Sequence, residues 1–241
     1  MQTEPPLLVL LPGMDGTGKL FQEFVAALGP RVESQIIEYP SDELLSYEQL
    51  VDLVETVIPR TRPFVLLGES FSGPIALRLA SRQPPNLVSL ILCASFFRNP
   101  RPNLRHLGGF TALLIPRSIP RAIVEYVMFG RYGRAQVREQ FYAVFKELKP
   151  KVIQYRSRQV LSLDDSVHLN RIRVPCLYLQ GQFDQIVSAH NGQAFCQQVS
   201  HAKLHRLPTA HMLLQSEPQT AADLVIEFVQ QCFEKHDSAS I

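Results

Sequence analysis

"VLLGESFSGPIAL" (residues 65–77) decides how the rest of the chain is read. Its apolar opening reads as a buried strand and its end as a helix. Gly68-Glu69-Ser70-Phe71-Ser72-Gly73 forms the turn between them. A serine at a sharp strand-to-helix turn is pushed into the open by the turn itself, and small residues must flank it. The following helix directs its free N-terminal amides toward charge building on a bound group. This nucleophile elbow is usually written G-x-S-x-G. Here Ser72 takes the second glycine position and Gly73 follows one residue later. Ser72 is still small, so the departure weakens the match without breaking it. A second reading makes Ser70 a capping residue that orders the helix start. The segment favours the nucleophile.

A nucleophilic serine needs a base and an orienting acid. "LPTAHMLLQSEP" (207–218) places His211 in a loop after the last apolar strand and before the final helix, a setting the other six histidines lack. "CLYLQGQFDQIVS" (176–188) places Asp184 beyond a strand, in a turn that starts at Gly181. Aspartate in such a turn is commonly only a turn former. Its weight here comes from order, because Ser70, Asp184 and His211 each follow a strand. Asp164 and Asp165 are the other acids to consider. They precede the strand before Asp184 and are expected at the wrong end of the sheet.

The alternation around these residues predicts an α/β fold. Apolar runs at 7–11, 34–40, 63–68, 87–95, 174–181 and 202–207 read as about six strands. Helical spacings at 19–28, 46–58, 72–83, 189–199 and about 216–234 separate or follow them. Ser46 is a plausible N-cap, and Pro74 falls in a first turn, where proline is tolerated. Continuous apolar strands indicate a parallel sheet covered on both faces. The rhythm breaks over 98–171, which reads as a mostly helical insertion between residues 1–97 and 172–241.

"LPGMDGTGKL" (11–20) poses a separate question. Gly13, Gly18 and Lys19 fit most of the phosphate-loop pattern G-x-x-x-x-G-K-[ST]. Leu20 stands where a hydroxyl must hold magnesium, and neither "IIEYP" nor "LILCAS" ends in the expected aspartate. The nucleotide reading therefore ranks below one in which this loop belongs to a hydrolytic site.

Taken together and in order, "LPGMDGTG", "GESFSG", "GQFDQIV" and "PTAHMLLQSEP" resemble the α/β-hydrolase family from residue 7 to the terminal helix. The resemblance implies a triad of Ser70, Asp184 and His211, with the insertion at 98–171 in the position of the family's cap. In that family the loop after the first central strand usually reads His-Gly-x. Carried over, the amides of Met14 and Phe71 become the oxyanion hole, with Pro12 in place of the histidine. The hairpin that often opens the family is expected to be missing, because only six residues precede "LLVLL". The implied activity is ester or thioester hydrolysis without metal or organic cofactor. A binding protein on the same fold and an acyltransferase remain the alternatives.

Composition bounds the setting. No apolar run approaches the roughly 20 residues of a membrane-spanning helix, and "MQTEPP" lacks the basic start and apolar stretch of a secretory signal. Cys93, Cys176, Cys196 and Cys232 form no C-x-x-C pair, so reduced thiols in a cytoplasmic protein are expected. Neither a nucleic-acid partner nor a membrane span is expected. Net charge is only +2, but it is unevenly spread. Residues 98–173 hold 15 Lys or Arg against five acids, a balance of +10, and the remainder holds nine against 17, a balance of −8. Most of these residues are expected to form a solvated surface. The asymmetry also suits a substrate on an acidic carrier protein or a phosphopantetheine group. The insertion and "IRVPCLYLQGQFDQIV" are similar to pimeloyl-acyl-carrier-protein methyl ester esterases. Arg131, Arg134 and Arg138 are the candidate partner-binding residues, the last two sharing one helix face.

Overall fold

A computed structural model describes residues 4–102 and 119–239. Arg105, His106 and Arg117 of the insertion lie outside the described residues. Six strands form one sheet: β1 (Leu7–Leu11), β2 (Ser34–Ile36), β3 (Phe64–Glu69), β4 (Leu87–Cys93), β5 (Cys176–Gly181) and β6 (Ala202–Leu207). Every pairing is parallel, in the order β2-β1-β3-β4-β5-β6. This is the predicted number of strands. The second strand is shorter than the run at 34–40 suggested. Past Ile36 a last bond runs from Ile37 N–H to the Leu10 carbonyl at 3.0 Å, and the side chains of Ile37 and Tyr39 are buried in the core.

Alternation along the central strands feeds two cores. Val9, Leu11, Phe64, Leu66, Leu90, Leu92 and Tyr178 pack on α2 (Tyr47–Val57), α3 (Gly73–Ser81) and α8 (His190–Gln198). Leu8, Leu10, Val65, Leu67, Ile91 and Leu179 pack on α1 (Gln22–Leu28), α9 (Leu213–Ser216) and α10 (Pro218–Ala239). Both faces are buried, which is why the strands read as unbroken apolar runs. Ser46 caps α2 through a capping box with Gln49, as its position suggested. The four cysteines are free thiols, three of them buried.

Between β4 and β5 lie α4 (Arg121–Phe129), α5 (Ala135–Glu147), α6 (Pro150–Leu161) and the short α7 (Ser166–Leu169). The only pairing found there among the described residues is an isolated bridge from Arg98 to Asp164. A third apolar cluster, including Val124, Phe129, Phe141, Phe145 and Ile153, joins these helices to Leu20 and Met212 of the core. No helix among the described residues is long and apolar enough to cross a membrane.

The strand order reverses direction at β1, flanked by β2 on one side and β3 on the other. In open parallel sheets, ligands bind at the carboxyl ends of the strands beside such a switch point. The loop after β1 and the turn after β3 both open there.

Candidate active site

The turn after β3 is built by close approach. A Cβ on Gly68 would lie 2.7 Å from the Ser72 carbonyl and 2.9 Å from the Ala76 methyl. A Cβ on Gly73 would overlap the Ser95 hydroxyl. Ser70 itself sits at φ 47, a left-handed conformation that is strained for a non-glycine residue. Ser95 Oγ donates to the Ser70 carbonyl at 2.6 Å and holds that conformation. No side chain caps α3 or the short 3-10 turn before it, so Ser70 does not serve as a cap.

The Ser70 hydroxyl instead meets His211 Nε2 at 2.9 Å. On the far side of the ring, His211 Nδ1 lies 2.8 Å from Asp184 Oδ2. The other carboxylate oxygen of Asp184 accepts from the backbone N–H of Ile186 at 2.8 Å and of Val187 at 2.9 Å. The three residues named in the sequence therefore form one hydrogen-bonded row, although 141 positions separate Ser70 from His211. His211 is buried. Burial alone opposes its charging, but the Asp184 carboxylate, its hydrogen bond and the charge of Glu69 outweigh burial and hold the imidazole above its ordinary 6.5.

The other two acids are not at the opposite end of the sheet, as expected, but beside residues that follow the carboxyl end of β4. Asp165 N–H donates to the Phe97 carbonyl, and Asp164 bridges Arg98. The run from α6 through α7 folds back over that end before the chain reaches β5. Both carboxylates are already engaged. Asp165 takes a two-pronged bond from Arg78 at 2.9 and 2.7 Å, and Asp164 accepts from Ser166.

Met14 and Ser70 line one cavity of about 380 Å³, together with Glu69 and His211. The rest of its wall is largely apolar and comes from the helices between β4 and β5, with Ile123, Val124, Phe141 and Ile153 among the contributors. Phe71 is fully buried next to Ser70, its ring stacked on Tyr47. The phosphate-loop resemblance has another explanation in space. Lys19 Nζ pairs with Glu147 at 2.5 Å, and Gly18 and Lys19 lie outside this cavity. Among the described residues no group of three or more His, Cys, Asp or Glu side chains is placed to hold a metal ion.

Two features escaped the sequence reading. Ser72, the residue that breaks the elbow pattern, donates to the carbonyl of Pro12, the residue that breaks the loop pattern. Glu69 is a buried carboxyl under the same loop, accepting from Gln215 Nε2 at 2.8 Å. Burial, with the charge of Asp15, raises its pKa from 4.5 to about 7 against the hydrogen bonds of Gln215 and Gly13 and the charge of His211. An acid next to the serine of a buried turn was the available signal.

That raised value has a definite sign in stability. Folding takes up a proton at Glu69 between about pH 4.5 and 7, so stability is lost as pH rises through that window. Glu69→Gln is expected to raise the melting temperature relative to wild type more at about pH 8 than at about pH 4.5. Thermal unfolding at both pH values measures it. A difference that is flat, or larger in acid, contradicts the assignment.

The three arginines are placed differently from one another. Arg134 pairs with Glu23 at 2.7 Å. Arg138 pairs with Glu125 at 2.8 Å and donates to the carbonyls of Gly130 and Gly133, tying the end of α4 to α5. Arg131 lies over the Tyr132 ring and makes no ion pair among the described residues.

Comparison with known proteins places these observations in a family. The model of the family described as serine aminopeptidase, S33 matches residues 42–219. Phytyl ester synthases 1 and 2, chloroplastic, of Arabidopsis thaliana are 34% and 30% identical over 106 and 139 residues. The matched stretches cover 40% and 53% of this chain but only 15% and 19% of those proteins. A pimeloyl-[acyl-carrier protein] methyl ester esterase of Aeromonas hydrophila is 24% identical over 93% of this chain and 95% of its own. A lipase-esterase related protein from Clostridium acetobutylicum superposes with a TM-score of 0.79 at 15% identity, over 93% of this chain and 95% of that one. It shares the fold.

Proposed function

Because the chain belongs to this serine aminopeptidase S33 family of α/β-hydrolases, we propose that it is a serine hydrolase that cleaves a carboxylic ester or thioester through an acyl-enzyme. The observation that carries this reading is the hydrogen-bonded row from Ser70 to Asp184 beside an apolar cavity. An aliphatic acyl chain fits the wall of that cavity, while its carbonyl faces Ser70.

His211, with Nδ1–H directed at Asp184, offers a bare Nε2 to the Ser70 hydroxyl. It takes that proton as Oγ bonds to the carbonyl carbon, and Asp184 stabilises the imidazolium. The amides of Met14 and Phe71 face the oxyanion; losing one such donor typically costs about 2.7–4 kcal/mol. The leaving group departs with the proton from His211. Water, deprotonated in turn by His211, releases the acid. The helices within 98–171 act as a cap that closes the acyl site.

A carrier-linked substrate is the finer reading. It is favoured by the basic insertion and by the methyl ester esterase of Aeromonas hydrophila, whose name specifies such a substrate. Since Arg134 and Arg138 have partners within the chain, Arg131 is the first cation to test. Arg131→Glu is expected to raise the KM for a carrier-linked ester severalfold and leave a small neutral ester unaffected, with the difference fading toward about 1 M salt, where screening reaches roughly 3 Å. Equal response of both substrates, or none, assigns the patch to plain surface. Acyl transfer to an alcohol is the alternative that the phytyl ester synthases bring forward.

The deciding experiment is a screen of p-nitrophenyl esters, acyl-thioesters and carrier-protein methyl esters, with Ser70→Ala as the blank and with water and alcohol competing. Free acid as the product supports hydrolysis. An alcohol ester as the main product makes the protein a transferase. Saturable binding without turnover makes it a receptor.

A further inference from the structure

Arg156, on α6, is 3% exposed, and its guanidinium makes no ion pair among the described residues. Asp15 acts on it by charge from the loop after β1 without pairing, and a buried cation is costly unless its donors are satisfied. The guanidinium is spent on backbone carbonyls. Nη1 donates to Met14 O at 2.9 Å and to Asp15 O at 3.0 Å, and Nη2 donates to Pro40 O at 3.2 Å. Its carbon lies 5.7 Å from the ring centres of both Tyr39 and Phe71. The loop makes room for it. A Cβ on Gly16, at φ +73, would lie 2.5 Å from Nη1.

The same loop is held from its other side. Ser72 Oγ donates to Pro12 O and accepts from Tyr39 OH at 2.7 Å. Pro12, Met14 and Asp15 thus have their carbonyls fixed, the first by the elbow and the other two by α6. The Met14 N–H shares one planar peptide unit with the Gly13 carbonyl, which accepts from Gly16 N–H at 3.1 Å; the units on either side carry the Pro12 and Met14 carbonyls, so fixing those limits how that plane can turn.

We propose that Arg156 is a positioning residue for the oxyanion hole: docking of α6 on the loop aims the Met14 amide, so the helices between β4 and β5 carry part of the catalytic geometry as well as the acyl pocket. This rests on the reading of Met14 as an oxyanion donor. It adds that the donor is competent only while the guanidinium is seated.

The test uses the full chain with Arg156→Met and Arg156→Lys. Arg82→Met serves as a stability control, because it removes an ion-pair cluster between α2 and α3. Turnover of a p-nitrophenyl ester is measured, along with affinity for two ligands. One is a trifluoromethyl ketone, which forms a tetrahedral adduct with an oxyanion; the other is the product acid. Arg156→Met is expected to lower kcat about 10–100-fold with KM within about threefold. It should weaken the ketone by a similar factor and the acid much less, because the hole is complementary to the tetrahedral oxyanion. Arg156→Lys should fall in between, since an ammonium cannot reproduce the planar fork. Arg82→Met should lower the melting temperature without this split.

Wild-type kcat and ketone affinity in folded Arg156→Met overturn the proposal, as does an equal loss for ketone and acid. If Arg156→Met does not fold, Arg156→Lys decides by the same two readouts. A wild-type protein that turns over no ester and takes no fluorophosphonate label at Ser70 overturns the hydrolase reading and this inference with it. An active wild type insensitive at Arg156 overturns this inference alone.

Discussion

Ser70→Ala is expected to lower turnover of an activated ester by about 10⁴–10⁶-fold, and adding His211→Ala to it to change almost nothing further. The row of 2.9 and 2.8 Å contacts makes the residues one device. With the hydroxyl gone, the imidazole has no proton to take, so losing it as well costs little. Steady-state rates of the two single variants and the double variant measure this. Additive losses would mean that Ser70 and His211 act separately. Full activity in His211→Ala would hand the role of base to another group.

The second large effect is expected at Asp184. Asp184→Asn should lower kcat about 10³–10⁴-fold, less than Ser70→Ala, through the tautomer of His211 rather than through lost packing. The geometry makes this specific. The N–H groups of Ile186 and Val187 both point at Oδ1. In the asparagine they keep the oxygen on their side and turn the amide NH₂ toward His211 Nδ1. The ring then places its proton on Nε2, facing Ser70, where a base must be bare. The pH profile carries a second signature. The Asp184 carboxylate is what lifts the imidazole above its ordinary value against burial. In wild type, kcat/KM therefore falls with acid through a midpoint above 6.5. In Asp184→Asn that limb moves to lower pH. A limb that stays in place, or moves up, contradicts the pairing.

The fold was legible because it rests on local patterns. Unbroken apolar strands such as "LLVLL" announce a sheet buried on both faces, and Ser46 marks a helix start. The Ser70–Asp184–His211 row was legible because each member follows a strand, and chain order then carries geometry. What escaped depends on contacts across the fold. Ser72 looks like a defect in one motif and Pro12 like a defect in another; only their hydrogen bond, 60 positions apart, shows that they go together. Arg156 is one of 15 cations in a basic stretch, and nothing in its neighbours marks it as buried. The helical spacing of Arg134 and Arg138 indicated a shared face but not the carboxylates of Glu23 and Glu125 that meet them. Asp164 and Asp165 were assigned to the wrong end because sequence position does not show how the chain folds back over the sheet before β5.

The central claim is that the strained turn at residue 70 presents a nucleophile. Reaction of the folded protein with a fluorophosphonate probe, followed by peptide mass spectrometry, tests it most directly. The label is expected on the Ser70 hydroxyl, absent in Ser70→Ala and slowed in Asp184→Asn. A label on any other residue, or a folded wild-type protein that takes none, would contradict it.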